Sequence, residues 1–416
     1  MKKGFLSIVL FYLYLFIIFF YGVVVILTYS TSLINIIKYV PETILILFLL
    51  CVFYNFKSKF TVFDLFLLGF LLIIFILSFF DNYNYSSSSI FTAIRDLLIP
   101  IVSLVLLKTI SFPEKSLNLF KKSLVIVSLL FLLVSLPFGL LQRINGWEYT
   151  SSFYTGFSFY GKDPKTGTLL INLSSGHVRA LGLVGNSAKY GFYSFLSFVL
   201  VNCFIKKNNR IVFLISSVTA FFNIFFSTNK TSLVLLVVAV IWFFLKLFPK
   251  RLFDKRMRIA LIVLVFAFIS GYIFFNLDTF YSVAERFEVW KNDINNSLAI
   301  NNYNILIGLH LYSYFERGAS ISVFDNSFLF TIFSLGLVFA FLLFAYLFTN
   351  LDFKNESVFL LFIALVFAGL STNIFSGRVF FNVFCVICGI MSGNEVLKQN
   401  NKISFEKTRV QLNTTY

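Results

Sequence analysis

The chain has 416 residues, of which 59% are hydrophobic and only 12% charged, with a formal net charge of +16 and a mean hydropathy of +0.89. That balance excludes an ordinary soluble domain and makes the bilayer, rather than water, the main solvent. The positive charge would suit nucleic acid in a soluble protein, but here the basic residues gather in the connections between apolar segments, which removes the nucleic-acid reading.

A helix crossing ~30 Å of hydrocarbon needs about 20 apolar residues, and that rule predicts about twelve spans. They run over 5–27, 42–56, 60–80, 90–107, 123–141, 189–205, 211–227, 231–248, 259–276, 327–349, 357–375 and 379–393. The first follows Lys2 and Lys3, exceeds a signal-peptide core and has no small-residue cleavage pattern after it, so it reads as a membrane helix. The last is the weakest, because Gly389 and Gly393 lower its helix propensity and Asn382 interrupts it. Mid-span Gly69, Pro100 and Pro137 are common features of membrane helices and carry no further meaning.

Positive connections stay in the cytoplasm. With the N-terminus inside, the inner segments are 1–4, 57–59, 108–122, 206–210, 246–258, Lys354 and the tail over 394–416, and they hold about 22 of the 34 basic residues. Both termini are then cytoplasmic. The outer side receives two long connections, 142–189 and 277–326, far longer than helix pairs require. Their Trp147, Trp290, tyrosines and phenylalanines favour order over disorder. The expected fold is an all-α, polytopic, single membrane domain with two long periplasmic loops. In the second loop, Phe280, Val283, Phe287, Trp290 and Ile294 recur at helical spacing, predicting a surface helix over about 279–296 with Arg286 on its flank.

Cys51, Cys203, Cys385 and Cys388 all lie in apolar stretches, so the loops have no disulfide framework, and Cys385 and Cys388 read as small buried thiols. Walker, GxGxxG, HExxH and GxSxG patterns are missing, which argues against ATP hydrolysis and serine hydrolysis. No Asp-x-Asp occurs, and 28–41 holds no acidic residue, so a metal site of paired carboxylates has no ligands there. No metal or cofactor is expected.

The predicted outer face carries cations beside helix ends: Arg179, Lys189, Lys230, Arg286, Arg317 and Arg378. Converging guanidinium and ammonium groups can hold a diphosphate and neutralise it as a leaving group; alternatively each snorkels to headgroups, above all Lys189 beside Tyr190. Arg95 and Asp96 stand near the outer start of the fourth span, where ionisable residues are costly. As helical neighbours they are expected to point about 100° apart, without a simple pair, and Arg95 is a candidate for lining the same cavity. The general-base candidates are His177, His310, Asp325, Glu285 and Glu288. Asp325 is equally placed for a helix cap, and a loop histidine is equally placed for a structural role.

Several short motifs occur in order along the chain. They are Arg179-Ala-Leu-Gly-Leu-Val-Gly-Asn186 before a span, Thr228-Asn-Lys-Thr-Ser232 before another, Glu285-Arg286 with Trp290 and Gly308, and Val323-Phe-Asp325-Asn326-Ser-Phe-Leu329 followed by Leu335-Gly336-Leu337. With the two loops, they resemble the O-antigen polymerase and ligase superfamily of membrane glycosyltransferases. The resemblance implies metal-independent glycosyl transfer at the periplasmic face of the bacterial inner membrane, from an undecaprenyl diphosphate-linked oligosaccharide. It assigns Arg179 and Arg286 to the diphosphate, with weaker carry-over to Lys230, and leaves the base between Asp325 and His310. Ligases of the superfamily tend to have histidine where Asp325 stands, so the polymerase branch of lipopolysaccharide biosynthesis fits better than the ligase branch. A lipid-linked oligosaccharide flippase is the remaining alternative; it is disfavoured because no internal repeat relates the two halves. Membrane lipids are expected partners, and contact with a polysaccharide chain-length regulator is left open.

Overall fold

A computed structural model describes residues 4–28, 39–79, 86–145, 173–174, 177–205, 209–246, 257–260, 287–292, 294–295, 306, 326–371 and 380–393. Most of the described residues are helical, and the strand ladder among them is a two-residue antiparallel pairing of Leu173 with Val178 and Ser174 with His177. Among the described residues, four helices are long and apolar enough to cross a membrane: Val62–Phe79, Ser89–Thr109, Glu114–Ile144 and Arg210–Ser227. Shorter apolar helices accompany them, and the chain is a membrane protein. Nearly all of the predicted span 259–276 and of the second long loop lies outside the described residues.

In chain order the helices are α1 (Phe5–Phe19), α2 (Tyr21–Thr28), α3 (Val40–Asn55), α4 (Val62–Phe79), α5 (Ser87–Ala93), α6 (Ile99–Thr109), α7 (Glu114–Ile144), α8 (Ser187–Phe204), α9 (Arg210–Ser227), α10 (Lys230–Lys246), α11 (Ser327–Leu335), α12 (Leu337–Asn350), α13 (Glu356–Ser371) and α14 (Phe380–Gly393). Helical bonding continues from α1 into α2, since the Phe20 amide donates to the Phe16 carbonyl at 3.0 Å and the Val24 amide to the Phe20 carbonyl at 3.1 Å. The predicted span 327–349 is broken into α11 and α12 at Gly336, whose φ of 86° lies where only glycine is at ease.

Between α5 and α6 the chain makes a π-helical turn over Ile94–Leu98. Pro100 has no amide to give the Asp96 carbonyl and its ring crowds that oxygen, so the turn widens and Ile99 bonds back to Ile94. Pro100 therefore does have a local consequence.

The chain divides into two compact units. Unit 1 comprises Met1–Ile8, Ile46–Asn118 and Trp290–Tyr416; unit 2 comprises Val9–Leu45 and Leu119–Val289. In unit 1, the connections after α3 and α6 pair with each other: Lys59 donates to the Thr109 carbonyl at 2.9 Å and Ser111 to the Lys57 carbonyl at 3.0 Å. The Asp352 amide reaches Ser392 Oγ at 3.2 Å, and a Cβ on Gly393 would stand 2.8–2.9 Å from the Ile110, Leu107 and Lys108 carbonyls. Connections predicted on one side thus meet at one end of the unit. α14 is a well-buried helix, and Gly389 and Gly393 are its contact face: Gly389 leaves room for Leu107 and the Leu104 carbonyl. The expectation that these glycines weaken the last helix is corrected, because small residues four apart let two membrane helices approach closely.

Candidate functional site

The best-defined polar end of unit 2 is built where α7, α8, α9 and α10 meet the segment 179–186. Arg179 follows the short ladder and is half-buried; its Nε is buried and has no hydrogen-bond partner among the described residues. The next three amides are all held from other elements. Ala180 donates to the Phe226 carbonyl on α9 at 3.0 Å, while Leu181 and Gly182 donate to Gln142 Oε1 on α7 at 2.8 and 3.0 Å.

Gly182 has a φ of 58° and lies so close over the Tyr190 ring that a Cβ would stand 2.5 Å from it. On the other side of that tyrosine, Gly139 makes room for the hydroxyl, since a Cβ there would also stand 2.5 Å away. The hydroxyl donates to Asn223 Oδ1 at 2.7 Å and lies 2.9 Å from the Ser135 carbonyl oxygen, and Asn223 Nδ2 donates to the Leu132 carbonyl at 3.1 Å. Tyr190 and Asn223 are fully buried, so this set of bonds replaces water for three helices at once. α2 closes the other side: a Cβ on Gly22 would meet the Leu183 carbonyl oxygen at 2.5 Å and the Gly185 nitrogen at 2.8 Å.

Two helix starts are coupled here. Asn186 caps α8, its side chain accepting from the Lys189 amide at 3.0 Å. Asn229 caps α10 by accepting from the Ser232 amide at 3.1 Å, and its Nδ2 donates to the Ala188 carbonyl in the first turn of α8 at 2.9 Å. Each asparagine cap is worth about 1 kcal/mol. Gly191 is required beside them, because a Cβ would stand 2.7 Å from that of Asn229. The Arg179–Asn186 and Thr228–Ser232 motifs, remote in sequence, are therefore one structural site. Its cations are Arg179, half-buried Lys189 and exposed Lys230, and helix N-termini add partial positive charge. An anion is the chemistry it suits. A groove of about 340 Å³ between α9 and α10, lined by Val218, Phe221, Phe222 and Val237 among others, is apolar and separate from these groups.

Arg95 and Trp290 belong to unit 1. Arg95 corrects an expectation: its Nε and Nη2 donate to Asp96 Oδ1 and Oδ2 at 2.6 and 3.0 Å, so the neighbours do pair. A π turn spreads more residues over each turn than an α-helix, which narrows the angle between neighbours, and the long guanidinium covers the rest. Trp290 is half-buried within the helical segment 287–292, in keeping with part of the predicted helix over 279–296. Arg286, His310, Arg317, Asp325 and Arg378 lie outside the described residues. His177 is placed by its backbone in the ladder. Among the described residues no three His, Cys, Asp or Glu side chains come together.

Sequence reasoning missed Gln142, Tyr190, Asn223 and Asn229. Asn229 carried a signal, as an asparagine just before an apolar helical run. The other three carried none, since their partners are far off along the chain. No protein-family model matches the sequence, and comparison with curated proteins gives no match.

Proposed function

We propose that the protein is an O-antigen polymerase, a glycosyltransferase that joins undecaprenyl diphosphate-linked oligosaccharide repeat units at the periplasmic face of the bacterial inner membrane. What supports the reading most is the meeting of the Arg179 and Lys230 motifs at two coupled helix starts, the arrangement an anionic diphosphate would need. The distribution of basic residues turns this end toward the periplasm and keeps both termini in the cytoplasm.

In this reading Arg179, with Lys189 and Lys230, holds the diphosphate of the donor. An acceptor sugar hydroxyl attacks the donor's anomeric carbon, the bond from that carbon to the diphosphate oxygen breaks, and undecaprenyl diphosphate leaves with the electron pair. The acceptor proton passes to a general base, for which Asp325 and His310 are the candidates. Permanent positive charge on a guanidinium stabilises the negative charge that grows on the leaving group.

Deleting the gene in a strain with a surface polysaccharide should collapse the lipopolysaccharide ladder to a single-repeat band, restored by the intact gene and not by Arg179→Ala. A surviving ladder refutes the proposal. Full-length polymer that stays on its lipid carrier points to the ligase branch, and repeat units held at the cytoplasmic leaflet point to a flippase.

A further inference from the structure

Gln142 is completely buried near the C-terminal end of α7. Its Oε1 accepts from two successive amides, Leu181 and Gly182, at 2.8 and 3.0 Å. A carboxamide oxygen has two lone pairs, so both are used. With the bond from Ala180 to the Phe226 carbonyl, the three peptide amides that follow Arg179 are fixed to helices α7 and α9 rather than to their own segment. An irregular segment acquires the precision of a helix only when its backbone groups are tied to one, and here a single side chain makes two of the three ties.

We infer that Gln142 is a positioning residue for Arg179: its carboxamide oxygen sets the course of the backbone that carries the guanidinium to the diphosphate. The inference rests on the proposed role of Arg179. Gln142 acts through the backbone and touches no substrate in this role, so a change there moves the guanidinium while leaving its charge in place. Gln142→Met keeps the length and helix preference of the side chain but offers no acceptor, which orphans two buried amides. Gln142→Glu keeps an acceptor oxygen in the same place and, at a completely buried position, takes up a proton rather than bury an unpaired charge.

The test uses full-length protein in nanodiscs with a defined undecaprenyl diphosphate-linked repeat unit, and follows polymer formed. Gln142→Met should lower kcat on the order of 100-fold, the scale of a displacement of about 1 Å, with donor KM changed much less. Gln142→Glu should recover at least about tenfold of that loss, a rescue that general loosening of the bundle would not give. A normal kcat for Gln142→Met overturns the inference, as does Gln142→Glu as impaired as Gln142→Met. If Gln142→Met does not insert, Gln142→Glu decides alone: kcat within about tenfold of the parent supports the role, and a larger loss overturns it. Arg179→Ala is measured alongside. An inactive Arg179→Ala with a normal Gln142→Met removes only the role of Gln142, whereas a normal Arg179→Ala removes the reading of Arg179 and this inference with it.

Discussion

Lys108 and Asp64 form an ion pair inside unit 1, Nζ to Oδ1 3.0 Å, with side chains 4% and 0% exposed. The carboxylate also accepts from the Tyr346 hydroxyl at 2.6 Å and, at 2.7 Å each, from the Thr61 amide and hydroxyl, while the ammonium also reaches Asn350 Oδ1. The Asp64 amide returns to Thr61 Oγ1 at 3.2 Å, which completes a reciprocal cap on α4. Every charge is matched, and α4, α6 and α12 are tied at one end. Lys108→Met leaves the carboxylate buried without its counter-charge and should destabilise the protein by about 3–5 kcal/mol. Adding Asp64→Asn removes that charge and keeps the cap, so the double variant should recover most of the loss. Thermal unfolding in detergent measures both; equal midpoints for Lys108→Met and the parent would show that the pair contributes nothing.

Tyr190 carries two separable contributions. Tyr190→Phe keeps the ring under Gly182 but leaves Asn223 without its donor, and should cost about 1–3 kcal/mol. Gly182→Ala adds a Cβ 2.5 Å from the ring at a positive φ, so it should damage the site more, shortening or abolishing the polysaccharide ladder. A normal ladder for Gly182→Ala would mean that the segment can move without consequence.

The glycines divide into contact and spare positions. Gly393→Val and Gly389→Val should each destabilise by about 1–3 kcal/mol through overpacking against α6. Gly69→Ala is the control: nothing lies within 4 Å of its would-be Cβ. There alanine should be neutral or stabilising by up to about 1 kcal/mol, the propensity difference in a helix interior. The ranking of unfolding midpoints checks this, and a damaging Gly69→Ala would contradict it.

Cys385 and Cys388 are free and fully buried in α14. A membrane-permeant maleimide should leave both unmodified in native membranes and label them after denaturation, with mass spectrometry of the peptide as readout. Rapid labelling of either in the native state would place that face of α14 in contact with solvent.

Hydropathy located most described helices to within a few residues, because the energetic demand of a bilayer is written in consecutive residues. The span predicted over 123–141 stops at Leu141, one residue short of Gln142, whereas α7 continues to Ile144; polarity at a helix end looks like the start of a loop. Gly336 was visible as a glycine, but only its backbone angle tells a break from a bend. The Asp64 cap was passed over although Thr-x-x-Asp precedes an apolar run there; the Lys108 and Tyr346 partners were out of reach, because tertiary neighbours leave no local pattern. For the site, the Arg179 and Lys230 motifs could be read as cations, while the asparagine that joins their helices and the glutamine that holds the segment emerged only from packing.

The length of α7 has a consequence for where the protein can work. Its 31 residues make a rod of about 46 Å, against ~30 Å of hydrocarbon. If the apolar stretch over 123–141, about 28 Å long, fills the hydrocarbon, Lys115, Lys121 and Lys122 would sit at one headgroup level and Gln142 at the opposite boundary. Hydrophobic mismatch would then act directly on the segment that Gln142 holds. In lipids with longer acyl chains, this boundary would draw the Arg179 segment into hydrocarbon unless the bilayer thinned around it, which makes acyl-chain length a natural variable for tuning the site.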